Sequence, residues 1–149
     1  VQTTLAPTRL VNWEAEAEKM MSIDQISHIT ILVPDQEEAL QWYTRNLGFE
    51  VRVDDSTTVP GVRWLTVAPK EDQGIEIVLF KAQTQADQAK IGQNPMWIFK
   101  TENCQITTET LRRNGVKIVK SCEDWPWGTS TIFEDPYGNY YNLVQIRDV

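Results

Sequence analysis

One order of hydrophobic patterns occurs twice along the chain, and that repeat restricts the available folds more than any other property of the sequence. From Gln25 the run Gln-Ile-Ser-His-Ile-Thr-Ile-Leu-Val alternates, with Ile29, Ile31 and Val33 on one strand face and His28, Thr30 and Leu32 on the other. Pro34 and Asp35 stop this strand and cap a helix whose apolar stripe is Ala39, Leu40, Trp42, Tyr43 and Leu47, ended by Gly48. Three strand-like runs follow at residues 49–53, 62–67 and 75–80, separated by Pro60-Gly61 and by the segment from Pro69 to Gly74. The order then recurs. Residues 95–101 read as a strand, Asn103 as a cap, a helix runs through Leu111 to the stop at Asn114-Gly115, and strands follow at 116–120, 129–134 and 140–146. A βαβββ unit leaves one sheet face unburied. Two of them predict an α+β fold in which paired half-sheets form a cup-shaped mixed sheet, helices on its outer face and a cavity between the opposite faces.

The modules are expected at about 25–81 and 95–147, joined by a polar, Gln- and Ala-rich linker at 82–94 with room for one helical turn. Together they make one domain, 25–149. Residues 1–24 are expected to be an N-terminal extension with a short helix capped by Asn12 and running through Lys19; Met20 and Met21 each offer an alternative start. A length of 149 residues suits a single core and not two independent enzymatic domains. The net charge of −7 and the scatter of its 14 Lys and Arg residues argue against a nucleic-acid partner. No stretch approaches the roughly 20 apolar residues of a membrane span, and no basic segment precedes an apolar one at the N-terminus. With no Cys-x-x-Cys or Cys/His spacing, Cys104 and Cys122 are expected as reduced thiols, and the chain as cytoplasmic.

Three segments carry a resemblance: His-Ile-Thr-Ile-Leu-Val-Pro-Asp-Gln-Glu-Glu-Ala-Leu-Gln-Trp-Tyr-Thr-Arg-Asn-Leu-Gly-Phe-Glu from His28, Gly-Ile-Glu-Ile from Gly74, and Phe-Glu-Asp-Pro-Tyr-Gly-Asn from Phe133. Together they resemble the vicinal-oxygen-chelate superfamily of glyoxalases, bleomycin resistance proteins and extradiol dioxygenases, over residues 25–146. The resemblance implies a divalent ion held by side chains from the first and last strands of each half. His28 and Glu76 stand at two of those positions. The other two fall on Met96, or on Trp97 if the register slips by one, and on Asn142. A thioether is a soft donor and an amide oxygen a neutral one, so the ligand set is incomplete and a divalent cofactor would rest on His28 and Glu76.

Each candidate also has an ordinary explanation. His28, the sole histidine, is either a hydrogen-bonded strand residue or a metal or acid/base group. Glu76, flanked by Ile75 and Ile77, points away from their core side; it is a catalytic general base or a carboxylate of a wet sheet face. Trp64 shares a strand face with Thr66, Tyr140 shares one with Asn142, and Trp125-Pro126-Trp127-Gly128 is read as a loop before a strand; these rings would wall a pocket for a flat ligand. Trp42 and Trp97, with apolar neighbours, are assigned to core or interface. Asp135-Pro136-Tyr137-Gly138 reads as a hairpin turn. Phosphate-loop, dinucleotide and nucleophile-elbow motifs are absent, and Cys104 at a helix start lacks a nearby histidine to serve it as a base.

Two functions compete. In the first, the chain binds a small aromatic or cationic ligand in a cup-shaped cleft without a complete metal site. In the second, it is a divalent-metal-dependent lyase, isomerase or dioxygenase in which Glu76 shuttles a proton next to a carbonyl. Either cleft is lined by His28, Trp64, Glu76, Met96, Tyr140 and Asn142, with Trp125 and Trp127 at its rim. A homodimer is expected, with pairing of modules within a chain or across the dimer left open.

Overall fold

Helices begin where a side chain supplies the acceptor that the first turn lacks. Asp35 Oδ1 accepts the Glu38 N–H at 2.9 Å, and Asn103 Oδ1 accepts the Ile106 N–H at 3.0 Å. Those caps start α2 (Gln36–Arg45) and α4 (Cys104–Arg113), while α1 (Trp13–Met20) precedes both and α3 (Gln85–Lys90) lies between. The strands are β1 (His28–Val33), β2 (Glu50–Asp55), β3 (Trp64–Ala68), β4 (Glu76–Lys81), β5 (Trp97–Lys100), β6 (Lys117–Trp125), β7 (Gly128–Glu134) and β8 (Tyr140–Ile146). This computed structural model describes residues 13–20 and 23–147; Asn12 and Met21 lie outside them.

The strands form two four-stranded sheets, ordered β1-β4-β3-β2 and β5-β8-β7-β6. In each, the first strand runs parallel to the last and the remaining pairs are antiparallel. The fold is therefore α+β, two βαβββ modules each built on a mixed sheet. The repeat extends to the helix ends. Asn46 and Asn114, the C-caps of α2 and α4, bond each other reciprocally: each Nδ2 donates to the other's backbone carbonyl, at 2.7 and 3.2 Å.

Strand alternation sorts the residues of each sheet onto two faces. Ile31, Val33, Leu65, Val67, Ile77 and Leu79 bury one face of the first sheet under Ala39 and Tyr43 of α2. Phe133, Tyr141 and Leu143 bury the matching face of the second with Leu111 of α4, and all of these residues belong to one core. The helix-backed sides thus join inside the chain. Tyr43 is the bolt: its hydroxyl donates to Asp135 Oδ2 at 2.7 Å and accepts from the Tyr141 hydroxyl at 2.6 Å. The opposite faces stay open, with Trp64, Met96, Tyr140 and Ile98 all exposed, Ile98 by 65%.

Three elements differ from expectation. Strand β6 runs on to Trp125, so residues 125–128 form a tight hairpin, with Trp125 paired to Gly128, where a longer loop was expected. The polar run Ser121 to Asp124 hid this, because an outer strand paired on one side needs no apolar alternation; Asp124 instead accepts the Thr129 hydroxyl across the pair at 3.0 Å. Gly128 sits at φ 153°, where an added Cβ would overlap the Gln145 carbonyl oxygen. Second, the helical turn allowed for in the linker is the six-residue α3, longer than one turn and opened by a capping box between Thr84 and Asp87. Third, β1 starts at His28 rather than Gln25. No helix among the described residues is long and apolar enough to cross a membrane.

Candidate functional site

The sequence-derived site residues divide between two open sheet faces. On the first, His28 and Glu76 are register partners on adjacent parallel strands, so their side chains leave the sheet on the same side. The His28 ring meets Trp64 edge-on, with centroids 5.8 Å apart, and its Nδ1 lies 2.9 Å from Ser27 Oγ. Glu76 is tied down by a residue that sequence reasoning noted only as Trp64's neighbour. The buried Thr66 hydroxyl donates to Glu76 Oε1 at 2.6 Å while accepting the Val53 N–H at 3.1 Å. That bond fixes the carboxylate against the sheet and occupies one of its acceptor sites.

On the second open face, a hollow of about 280 Å³ is lined by Lys120, Glu123, Trp125, Trp127, Ser130, Thr131, Ile132 and Asn142. The hairpin places both tryptophans at its edge, about half exposed, and Trp125 Nε1 donates to Ser130 Oγ at 3.1 Å, which sets the plane of that indole. Lys120 Nζ and Glu123 Oε1 pair at 3.1 Å across the wall. Asn142 Oδ1 is buried without a hydrogen-bond partner. An unmatched buried acceptor is costly, of order 1–3 kcal/mol, and a ligand donor would recover that cost. Tyr140 and Ile98 lie on the same open face, and Met96, just before β5, is 46% exposed. Trp97 turns the other way, its ring 6.2 Å from that of Tyr141 in the core, and Trp42 packs edge-on to Tyr43 at 4.9 Å. Across from Asn142, as His28 is across from Glu76, stands Ile98, and Met96 precedes the strand.

A larger space of about 780 Å³ lies on the helix-backed side, between the modules. Leu47, Phe49, Phe99, Leu111 and Phe133 form its apolar wall, with Glu71, Asp72 and Glu102 at its margin. No pattern local in sequence marks it, since its walls come from both halves. Neither cavity joins His28, Trp64 and Glu76 to the tryptophan hairpin.

Among the described residues, no three His, Cys, Asp or Glu side chains come together in a group suited to a metal ion. One imidazole and one carboxylate fall short of the three protein ligands typical of a catalytic site, so the residues of a single chain do not fit the ion that the fold implies.

Comparison with known proteins agrees with this architecture. The chain is 31% identical over 124 residues to the uncharacterized protein YetH of Bacillus subtilis (strain 168), covering 83% of this chain and 99% of the relative. Among solved structures, UcmS2 is 35% identical with a TM-score of 0.74, covering 83% of this chain and 99% of its own. TnmS3, an antibiotic binding protein from Streptomyces sp. CB03234, is 28% identical with a TM-score of 0.68, covering 85% of this chain and 99% of its own. The pattern of the Glyoxalase/Bleomycin resistance protein/Dioxygenase superfamily matches residues 25–143, spanning both modules and all eight strands of the two sheets but for the end of β8, and the chain belongs to that superfamily.

Proposed function

We propose that the chain binds a small planar aromatic ligand, of the kind an antibiotic presents, in a cleft completed by a second copy and without a complete metal site. The observation that carries this reading is the hollow beneath Trp125 and Trp127, with the unpartnered Asn142 Oδ1 buried among its lining. The antibiotic-binding description of TnmS3 supports the ligand class. The need for a second copy follows from size and exposure. A hollow of about 280 Å³ is at or below the lower limit for a drug-sized guest. Beside it, Met96, Ile98, Tyr140 and Ile146 stand exposed, and β1 and β5 each end a sheet with one unpaired backbone edge. A two-fold axis laying β1 of one copy beside β5 of the other covers both edges twice. It brings His28, Trp64 and Glu76 toward the partner's open second face.

The test is a tryptophan-fluorescence titration of the full chain, in EDTA, with proflavine as a cationic tricycle and acridine as its counterpart uncharged at neutral pH. The expected result is a Kd of about 1 μM, weakened about tenfold or more in Trp125→Ala. Preference for proflavine assigns the cation; equal binding assigns the aromatic plane alone. Failure of both probes to bind below about 1 mM overturns the reading.

A second reading, a divalent-metal-dependent lyase, isomerase or dioxygenase, is favoured by one observation, the shared side and register of His28 and Glu76. Calorimetric titration of the metal-stripped chain with zinc, nickel, manganese and iron(II) decides it. Stoichiometric binding lost in Glu76→Gln supports it, and no binding removes it.

A further inference from the structure

Cys104 and Cys122 lie on different elements, yet their sulfurs are 3.5 Å apart. Cys104 opens α4 and is fully buried, while Cys122 lies in β6 and is partly exposed. The buried Thr108 hydroxyl, one helical turn after Cys104, sits 3.3 Å from Cys122 Sγ and 3.9 Å from Cys104 Sγ, so both thiols share one polar neighbour. The strand at this point is loosely held. Register slips between Lys120 and Glu123, leaving Ser121 and Cys122 without cross-strand partners in β7. A disulfide needs its sulfurs at about 2.05 Å, a closure of about 1.5 Å that a bulged outer strand can supply more readily than a paired one.

We infer that Cys104 and Cys122 are a modification site: a peroxide oxidises them to a reversible intrachain disulfide that locks β6 against α4. The reaction balances with hydrogen peroxide as the two-electron acceptor. The reachable Cys122 thiolate attacks one peroxide oxygen; the O–O bond breaks, the departing hydroxide takes up the proton Cys122 gave away, and the first water leaves. Cys104 then attacks the sulfenic sulfur, the S–S bond forms as the S–O bond breaks, and the leaving hydroxide takes the Cys104 proton as the second water. Burial pushes the Cys104 thiol up to about 11, with the Cys122 hydrogen bond adding to it, which suits Cys104 to react second and only with its neighbour. The consequence reaches the ligand hollow, because Lys120, Glu123 and Trp125 of the same strand line it. This site is independent of the ligand-binding reading.

The test treats the reduced full chain with a few equivalents of hydrogen peroxide and reads intact mass, free thiols and non-reducing electrophoresis. The expected product is monomeric on the gel, lighter by two hydrogens, without free thiols, and restored by dithiothreitol. Retained thiols, added oxygen on the wild-type chain, or cross-linked dimers overturn the inference. Amide exchange supplies the second readout. Oxidation is expected to slow exchange across residues 120–125 about tenfold; a disulfide that leaves that strand's exchange unchanged overturns the locking.

Discussion

Tyr43 and Asp135 show what one side chain settles here. Asp135 is buried, and its carboxylate is held by N–H and O–H donors: Oδ1 takes the Tyr137 and Asn139 amides at 2.9 and 2.8 Å, Oδ2 takes Tyr43 and Asn139 Nδ2, each at 2.7 Å. Burial in that company pushes the Tyr43 hydroxyl well above the usual tyrosine range, so it stays protonated and remains a donor. Tyr43→Phe removes one of those donors and strips the Tyr141 hydroxyl of its acceptor. The expected loss is about 1–3 kcal/mol of unfolding free energy, read as a lower urea midpoint at unchanged slope. The sequence shows Asp135-Pro136-Tyr137-Gly138 as a turn, and a turn it is, but Tyr43 lies 92 residues away and no local pattern links the two. Trp125 was legible as a candidate from its residue type; its fixed plane was not, because that depends on Ser130 across the hairpin.

At the scale of elements, the loop before β3 is pinned by one guanidinium. Arg63 reaches Asp54 of β2 through Nε and Nη2, both at 2.9 Å, and Glu37 of α2 through Nη1 at 2.9 Å. Arg63 holds both carboxyls below their ordinary values, chiefly by direct hydrogen bonds. A carboxyl with a lower pKa folded than unfolded stabilises the fold above its unfolded value, and that contribution is lost as pH falls through the folded one. Stability is therefore expected to fall as pH drops below about 4, and less steeply in Arg63→Gln, where both carboxyls move back toward their unfolded values. Chemical-denaturation midpoints of the two proteins between about pH 5 and 2 check this, and parallel curves would show that Arg63 does not set the slope. The order of elements was readable because helix caps and strand alternation are local. The extension of β6 and the capping box of α3 were missed for the same reason in reverse: polar residues there satisfy backbone and cross-strand groups without any apolar stripe.

For the whole molecule, the arrangement of modules predicts assembly. Helix-backed faces are spent on each other within the chain, which leaves the open faces and, of the four edge strands, β1 and β5 beside them for a second copy. Sedimentation is expected to give a mass twice that of one chain. Ile98→Asp, placing a charge on the exposed β5 side chain, is expected to give a monomer that binds proflavine about tenfold more weakly. A monomeric wild-type chain would remove the shared cleft.

The sequence by itself determined the two βαβββ modules and their superfamily, because both are written in spacing and residue type. Tertiary structure alone decided that Tyr43 bolts the helix-backed faces together, that His28 and Glu76 share a side while the tryptophan hairpin stands on another sheet, and that Cys104 meets Cys122. Alternation says which residues share a face of one strand; which faces then meet depends on contacts between residues distant in the chain, where burial and hydrogen bonding act without any sequence period.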